Sequence, residues 1–275
     1  MTHVPDIALN NGVEIPQLGF GLYKVPPGDA ERSVTAALEA GYRHIDTAKL
    51  YDNEREVGAA IARSGVPREE LFVTTKLWNT DHRDPQGAFD ASLHRLGLEY
   101  VDLYLIHWPV PSADRYVDAW RGLEKIAAGG RARAIGVSNF QPAHLRRLLD
   151  ETGTVPAVNQ VELHPAFPQA QLRALHAEHG IATQAWAPLA RGGVLDDERV
   201  LAVAAKHGRT PAQVVLRWHV QLGNIVFPKS VTPARIRENI DVFGFELDPD
   251  DLALIDALGT GSRIGPDPDT YGTGA

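Results

Sequence analysis

Short apolar runs alternate along the chain with longer amphipathic segments. Eight runs of apolar residues predict β-strands, at residues 18–20, 44–46, 71–76, 101–107, 134–138, 157–161, 181–186 and 224–228. After each run comes a segment rich in Ala and Leu with helical spacing, at residues 29–40, 53–64, 85–96, 116–128, 142–150, 169–179, 211–222 and 233–242. The pattern therefore predicts eight consecutive strand–helix units.

Such a repeat is typical of an α/β fold with parallel strands, because helices that cross over the sheet cover its outer face. Eight units predict a single (β/α)8 TIM barrel, with one domain over residues 1–275. Residues 7–15 predict a β-hairpin around Asn10-Asn11-Gly12, which we expect to plug the bottom of the barrel. Segments 197–207 and 249–258 predict two extra helices, and 266–275 a loop tail.

Composition excludes several kinds of protein. The 275 residues carry no cysteine, which excludes disulfide frameworks, thiolate metal sites and a cysteine nucleophile. A net charge of -8 argues against a nucleic-acid surface. Residues 1–6 lack the basic and apolar regions of a signal peptide, and no apolar run is long enough to span a membrane. We therefore expect a soluble cytoplasmic protein.

Four residues with reactive side chains follow neighbouring predicted strands. Asp46 ends the second strand and Tyr51 lies in the loop after it, while Lys76 and His107 end the next two. In a barrel, active residues gather at the carboxyl ends of the strands. Each residue alone is more often part of the core or surface, but their joint occurrence favours a site for reducing a carbonyl group.

A second group of residues indicates a phosphate site. Lys229 and Ser230 follow the eighth strand, and Thr232-Pro233 opens a helix that carries Arg235. An ordinary capped helix with a solvated basic face is the alternative. Gly19-Phe20-Gly21 lacks the third glycine and the following helix of a Rossmann turn, so it predicts no dinucleotide fold of that type.

These motifs, together with the stretch from Gly41 to Glu54, resemble the aldo-keto reductase family over essentially the whole chain, and within it the bacterial diketogluconate reductase-like branch. The resemblance implies NADPH/NADP+ as cofactor. It also implies a catalytic tetrad of Asp46, Tyr51, Lys76 and His107. Tyr51 would donate a proton, Lys76 held by Asp46 would stabilise the tyrosinate, and His107 would orient the carbonyl.

The resemblance also implies binding residues. Lys229, Ser230 and Arg235 would hold the 2′-phosphate, while Glu238 and Asn239 would contact adenine. At the other end of the cofactor, the carboxamide would bond to amide and hydroxyl side chains, and Trp186 would stack on the nicotinamide. The full expected cofactor set is Leu22, Ser138, Asn139, Gln160, Trp186, Ala187, Leu189, Lys229, Ser230, Val231, Arg235, Glu238 and Asn239. The expected substrate set is Tyr23, Tyr51, Trp78, His107 and Trp108, with core packing as the alternative for Trp78.

The sequence thus predicts NADPH-dependent reduction of aldehydes and ketones to alcohols by a monomer that needs no metal and binds neither nucleic acid nor membrane. Two alternatives stay open: a Schiff-base aldolase that uses Lys76, and a cofactor-sensing regulatory subunit of the same fold. Regulatory subunits of this kind carry an N-terminal extension that is not expected here. A metal hydrolase built on His44, His107 and His164 is disfavoured by their spacing. The brief tail predicts an open pocket for many substrates.

Overall fold

The computed structural model describes residues 4–272, and the first element is a hairpin of two short strands. Strand β1 (Asp6–Ala8) pairs antiparallel with β2 (Glu14–Pro16). Gly12 lies in the turn with a φ of 81°, a conformation that costs glycine little. In the same turn, the side-chain amides of Asn10 and Asn11 donate to the carbonyls of Pro156 and Arg133, which lie near the start of later strands. The hairpin therefore covers the amino end of the barrel, as predicted.

Eight parallel strands form the central sheet, hydrogen-bonded in chain order. They are β3 (Phe20–Gly21), β4 (His44–Asp46), β5 (Phe72–Leu77), β6 (Val101–Ile106), β7 (Ala132–Ser138), β8 (Val158–Glu162), β9 (Ala182–Trp186) and β10 (Ile225–Val226). The edges meet through a parallel bridge between Leu18 and Val226, where the Gly19 amide donates to the Val226 carbonyl at 2.7 Å. The sheet thus closes into the predicted barrel.

Ten α-helices are found in residues 4–272: α1 (Pro27–Ala40), α2 (Glu54–Arg63), α3 (Pro85–Leu96), α4 (Tyr116–Ala128), α5 (Pro142–Glu151), α6 (Ala170–Glu178), α7 (Glu198–His207), α8 (Pro211–Gln221), α9 (Pro233–Ile240) and α10 (Pro249–Asp256). Six begin with proline, which suits the first helical position because its missing N–H has no partner to lose there. The two extra helices, α7 and α10, are confirmed. None of the helices within 4–272 has the length and apolar character needed to cross a membrane.

Two apolar clusters hold the barrel together. The larger fills the layer between sheet and helices, and includes the fully buried rings of Trp120 and Trp218. A smaller cluster lies inside the barrel beneath the hairpin, where Ile15 packs with Leu103 and Leu105. Because the amino end is filled in this way, open space remains at the carboxyl ends of the strands.

The predicted element boundaries hold to within a few residues. The largest shortening is at β10, where the apolar run 224–228 provides only Ile225 and Val226 as strand. The carbonyls of Val226 and Pro228 accept hydrogen bonds from Gly19 and Gly21, and residues 227–230 then run without regular structure toward α9. In the predicted loop tail 266–275, residues 266–272 contain no helix or strand, and residues 273–275 lie outside the described part of the chain. Residues 1–3, in the stretch predicted to lack a signal peptide, also lie outside it.

Candidate active site

A buried ion pair joins the ends of two neighbouring strands. The Lys76 ammonium on β5 lies 2.6 Å from Asp46 Oδ1 at the end of β4 and 2.9 Å from the Thr47 carbonyl. Both side chains are essentially inaccessible to solvent, at 0% and 2% exposure. Burial lowers the pKa of Lys76, whereas the Asp46 carboxylate opposes that shift. The carboxylate therefore stabilises a positive charge in an enclosed position.

The phenol of Tyr51 lies next to this ammonium. Tyr51 ends a single turn of 3₁₀ helix that follows β4, and its hydroxyl is 3.3 Å from Lys76 Nζ. An ion pair between Lys49 and Asp81 ties the same turn to the loop after β5. Burial, and after it the charge of Asp46, raise the pKa of Tyr51 well above its usual value. The hydroxyl therefore keeps its proton at neutral pH.

His107 stands directly after β6 and faces the same space. Its ring centroid is 5.9 Å from that of Tyr51, in an edge-to-face arrangement, and 5.1 Å from Trp78. Burial, reinforced by the Lys76 charge, lowers the pKa of His107 well below its ordinary value. Within residues 4–272, its Nδ1 atom is buried without a hydrogen-bond partner. The imidazole is therefore neutral.

A cavity of about 820 Å³ runs from these side chains to the start of α9. All but one of the predicted cofactor residues line it, as do three of the four tetrad residues and Tyr23 and Trp108. The exception among the cofactor residues is Leu22, whose side chain is fully buried and whose carbonyl accepts from Asn53 Nδ2 at 3.2 Å. Trp78 packs behind the cavity wall against Trp108.

Hydrogen bonds fix the indole of Trp186 at the cavity wall. Trp186 Nε1 donates to Asn139 Oδ1 at 2.8 Å, and Asn139 Nδ2 donates to the His107 carbonyl and to Ser138 Oγ, both at 3.0 Å. Asn139 adopts a φ of 64°, a left-handed conformation that asparagine tolerates better than most residues. The ends of β7 and β9 are therefore linked, and the ring of Trp186 has a defined plane.

The amide of Gln160 has its two N–H groups committed and its oxygen uncommitted. Nε2 donates to Asp46 Oδ2 at 2.8 Å and to Gln184 Oε1 at 2.9 Å. No hydrogen bond in the described part of the chain uses Gln160 Oε1. Because a carboxylate only accepts, the orientation of this amide is set by Asp46. Its oxygen is therefore available as an acceptor for a carboxamide N–H.

Two cations mark the far end of the cavity. Lys229 and Arg235 line it and are exposed, and neither forms an ion pair with any residue from 4 to 272. Nearby, Glu238 Oε1 accepts from Thr210 Oγ1 at 2.8 Å, which holds that carboxylate at the edge of the cavity. A chain with net charge -8 thus places uncommitted positive charge at one end of its large cavity.

The structure adds lining residues that sequence reasoning missed: Lys24, Arg191, Thr210, Pro266 and Tyr271. The tail is the main difference. The brief tail predicts an open pocket, and the structure adds that the Tyr271 ring centroid lies 4.4 Å from that of Trp108 and that Tyr271 forms part of the cavity wall. Tyr271 is an aromatic residue in a stretch otherwise rich in Gly, Pro and Asp, and that contrast was the available clue.

Comparison with known proteins places these features in a family. The model of the Aldo/keto reductase family matches residues 17–260. An aldo-keto reductase of Mycolicibacterium smegmatis is 57% identical over 97% of this chain and 98% of its own length. Methylglyoxal reductase DkgA of Escherichia coli K12 is 52% identical with the same coverage. Among solved structures, a Gox0644 variant in complex with NADPH is 46% identical with a TM-score of 0.94, covering 98% of this chain and 99% of that one.

Proposed function

The chain belongs to the aldo/keto reductase family and is an NADP-dependent oxidoreductase that reduces aldehydes and ketones, and we propose that Tyr51 supplies the proton in this reaction. One observation carries the proposal. The Tyr51 hydroxyl lies 3.3 Å from a buried ammonium that is itself paired with Asp46, and it opens onto the large cavity. A phenol that keeps its proton at neutral pH, next to a fixed cation, is suited to general acid catalysis.

The described residues fit the cofactor along the whole cavity. Gln160 Oε1 and the fixed indole of Trp186 suit the nicotinamide end, where the amide oxygen accepts from the carboxamide. Lys229 and Arg235 suit the 2′-phosphate, because they are cations without ionic partners in residues 4–272. Glu238 and Asn239 lie beside them for adenine. When bound, the reduced nicotinamide supplies a hydride to the carbonyl carbon.

The four side chains of the predicted tetrad have different roles in the rest of the reaction. Tyr51 donates its proton to the carbonyl oxygen, so negative charge does not accumulate on that oxygen and the product is a neutral alcohol. Lys76 stabilises the tyrosinate left behind, and Asp46 keeps Lys76 in position through the 2.6 Å ion pair. His107 is neutral, so it orients the carbonyl by hydrogen bonding and adds no positive charge. Solvent returns the proton to Tyr51 after release of the alcohol.

A Schiff-base aldolase is a weaker assignment for the same residues. The Lys76 nitrogen is enclosed at 0% exposure and donates to Asp46, Thr47 and Tyr51. A nucleophilic amine needs a free lone pair and a path to the carbonyl carbon. The cation in this structure has neither, which supports a role in stabilising charge.

We propose small, reactive carbonyl compounds as substrates, with methylglyoxal as the first candidate because relatives of 52% and 53% identity carry that name. The aromatic side chains of Tyr23 and Trp108 give an apolar wall suited to such compounds. The test is NADPH oxidation at 340 nm with methylglyoxal, ketoses, β-keto esters and aromatic aldehydes. We expect turnover with methylglyoxal, and no consumption of NADPH with any carbonyl would refute the proposal.

We further propose that the whole chain is one domain that acts as a monomer in the cytoplasm and binds no nucleic acid. The apolar cluster around the sheet runs continuously from Leu18 to Leu258, which supports a single folding unit. Sedimentation equilibrium at micromolar concentration should give a mass near 30.0 kDa, and a stable dimer would contradict the proposal.

A further inference from the structure

The segment after α10 returns across the carboxyl end of the barrel and is fastened to Glu162. Glu162 Oε1 accepts from the Ile264 amide at 2.5 Å, and Oε2 accepts from the Gly265 amide at 2.9 Å. The Glu162 side chain has 0% exposure. One carboxylate therefore holds two successive backbone N–H groups of a segment more than a hundred residues further along the chain.

Glu162 is itself firmly placed. It ends β8, its Oε1 lies 3.1 Å from His164 Nε2, and its backbone carbonyl accepts from Gln169 Nε2 at 2.6 Å. Burial opposes ionisation of the carboxyl, but the hydrogen bonds from His164, Ile264 and Gly265 prevail and lower its pKa. The ionised carboxylate makes charge-assisted hydrogen bonds, which are stronger than neutral ones.

Gly265 brings the tail against the indole of Trp186. A Cβ atom at this position would lie 2.3 Å from Trp186 Cη2 and 2.8 Å from Glu162 Oε2, far inside contact distance. Only a residue without a side chain allows the backbone to approach both groups so closely. The carboxylate, the glycine backbone and the indole are thus packed as one unit.

Beyond this anchor the tail reaches the cavity. Pro266 and Tyr271 line it, and the Tyr271 ring is 4.4 Å from Trp108. The Tyr271 amide donates to the Asp267 carbonyl at 2.8 Å, so the residues between anchor and ring form a compact turn. The position of Tyr271 therefore depends on the attachment at Ile264 and Gly265.

We propose that Glu162 is a positioning residue for substrate selection, which fixes the tail so that Tyr271 forms a wall for the substrate. The inference rests on the proposed carbonyl reduction in this cavity. Glu162 has no part in proton transfer. Its effect is on which carbonyl compounds bind well, because an aromatic substrate gains contact with Tyr271 whereas a three-carbon aldehyde has few atoms to place there.

The decisive variant is Glu162→Gln, which keeps the shape of the side chain. It replaces one accepting carboxylate oxygen by an NH₂ group, which cannot accept the hydrogen bond from a backbone N–H. The first readout is cleavage by trypsin after Arg263, at the bond to Ile264. We expect the cleavage rate to rise by about ten- to a hundredfold, because losing charge-assisted hydrogen bonds makes local opening of the tail that much more frequent. Asp269→Asn is the matched control, since that carboxylate is 63% exposed and 3.4 Å from His144.

The second readout is kcat/KM for benzaldehyde relative to methylglyoxal. Loss of an aromatic contact should lower this ratio by about two- to tenfold, through KM, with methylglyoxal turnover nearly unchanged. Tyr271→Ala should lower the ratio equally, and Glu162→Asp should restore part of it. If Glu162→Gln does not fold, Glu162→Asp provides both readouts, with smaller changes in the same direction, because it shortens the reach of the carboxylate to the Ile264 and Gly265 amides and keeps its charge.

Two results would overturn the inference: an unchanged ratio in a variant whose tail is cleaved faster, or equal losses for both carbonyls. Failure of the proposed function looks different. In that case the unmutated protein consumes no NADPH with either carbonyl, while trypsin still distinguishes Glu162→Gln from Asp269→Asn.

Discussion

The side-chain amide of Gln160 donates to the carboxylate of Asp46 across 2.8 Å, so the residue expected to hold the nicotinamide carboxamide also touches the buried ion pair. Asp46 Oδ2 takes this bond, while Oδ1 takes the bond from Lys76. A continuous path of hydrogen bonds therefore runs from Gln184 through Gln160, Asp46 and Lys76 to the Tyr51 hydroxyl. The residues proposed for cofactor binding and for proton donation therefore share one polar network.

Replacing Gln160 by methionine should impair both functions at once. The variant loses the proposed acceptor for the carboxamide, a neutral hydrogen bond that contributes about 0.5 to 1.5 kcal/mol. It also leaves the Asp46 carboxylate without one of its donors, and a bond to a charged group contributes about 1.5 to 3 kcal/mol. We expect weaker NADPH binding by fluorescence titration and a slower single-turnover hydride transfer. Gln184→Met removes only the more distant acceptor and serves as the control with the smaller effect. A normal transfer rate in Gln160→Met would show that the two sites are independent.

Breaking the buried ion pair should cost stability as well as rate. Lys76→Met leaves the Asp46 charge without its partner in the barrel, a loss of about 3 to 5 kcal/mol in the free energy of unfolding. Urea denaturation measures this loss. The double variant Asp46→Asn/Lys76→Met removes both charges and should recover much of the stability, while carbonyl reduction stays impaired. Recovery of activity along with stability would mean that Lys76 has only a structural role.

The cofactor preference should depend on Arg235. Neutralising it in Arg235→Ala removes the proposed charge-assisted contact to the 2′-phosphate, so NADPH affinity should fall by about ten- to a hundredfold. NADH affinity should hardly change, and the preference should shrink as salt is raised. Arg237→Ala is the matched control, because Arg237 is an exposed cation on the same helix that does not line the cavity. Equal affinities of the unmutated protein for NADPH and NADH would refute the phosphate assignment.

The pH dependence of reduction should lack an inflection near the usual histidine pKa of about 6.5. Because the pKa of His107 is lowered well below that value, the imidazole stays neutral throughout the neutral range. Because burial raises the pKa of Tyr51 well above its usual value, its proton stays available throughout the neutral range and above it. The measurement is kcat/KM for the carbonyl at saturating NADPH, corrected for acid decay of the cofactor. A rate that falls through pH 6.5 would place a protonated His107 in the mechanism.

Most of the barrel follows from the sequence because its strands and helices have distinct periodicities. Proline at the first position of helices such as α3 and α8, and the hairpin turn at Gly12, mark boundaries by local chemistry alone. Local sequence says less where a loop is stabilised by distant residues. The tail from 264 to 271 has no periodic pattern, and its place is set by the Glu162 carboxylate.

The candidate site shows the same difference between what local sequence predicts and what contacts with distant residues decide. The proximity of the four predicted catalytic residues follows from their place at strand ends, since parallel strands bring such residues together: Asp46, Tyr51, Lys76 and His107. Their hydrogen bonds were not predictable in detail: the bond from Gln160 to Asp46 joins residues 114 positions apart and depends on the barrel closing. Leu22 is also predicted among the cofactor residues, yet its side chain is buried and does not line the cavity, so that assignment stays a prediction.

The role of Tyr51 as the proton donor is best measured by single-turnover reduction of methylglyoxal by Tyr51→Phe, together with NADPH titration of the same variant. The substitution removes one oxygen, 3.3 Å from Lys76 Nζ, and keeps the ring. Loss of a general acid slows a reaction by about 10²- to 10⁴-fold. We expect a loss of this size in the transfer rate, with the NADPH dissociation constant unchanged. Transfer at the rate of the unmutated protein would contradict the assignment of Tyr51 as the proton donor.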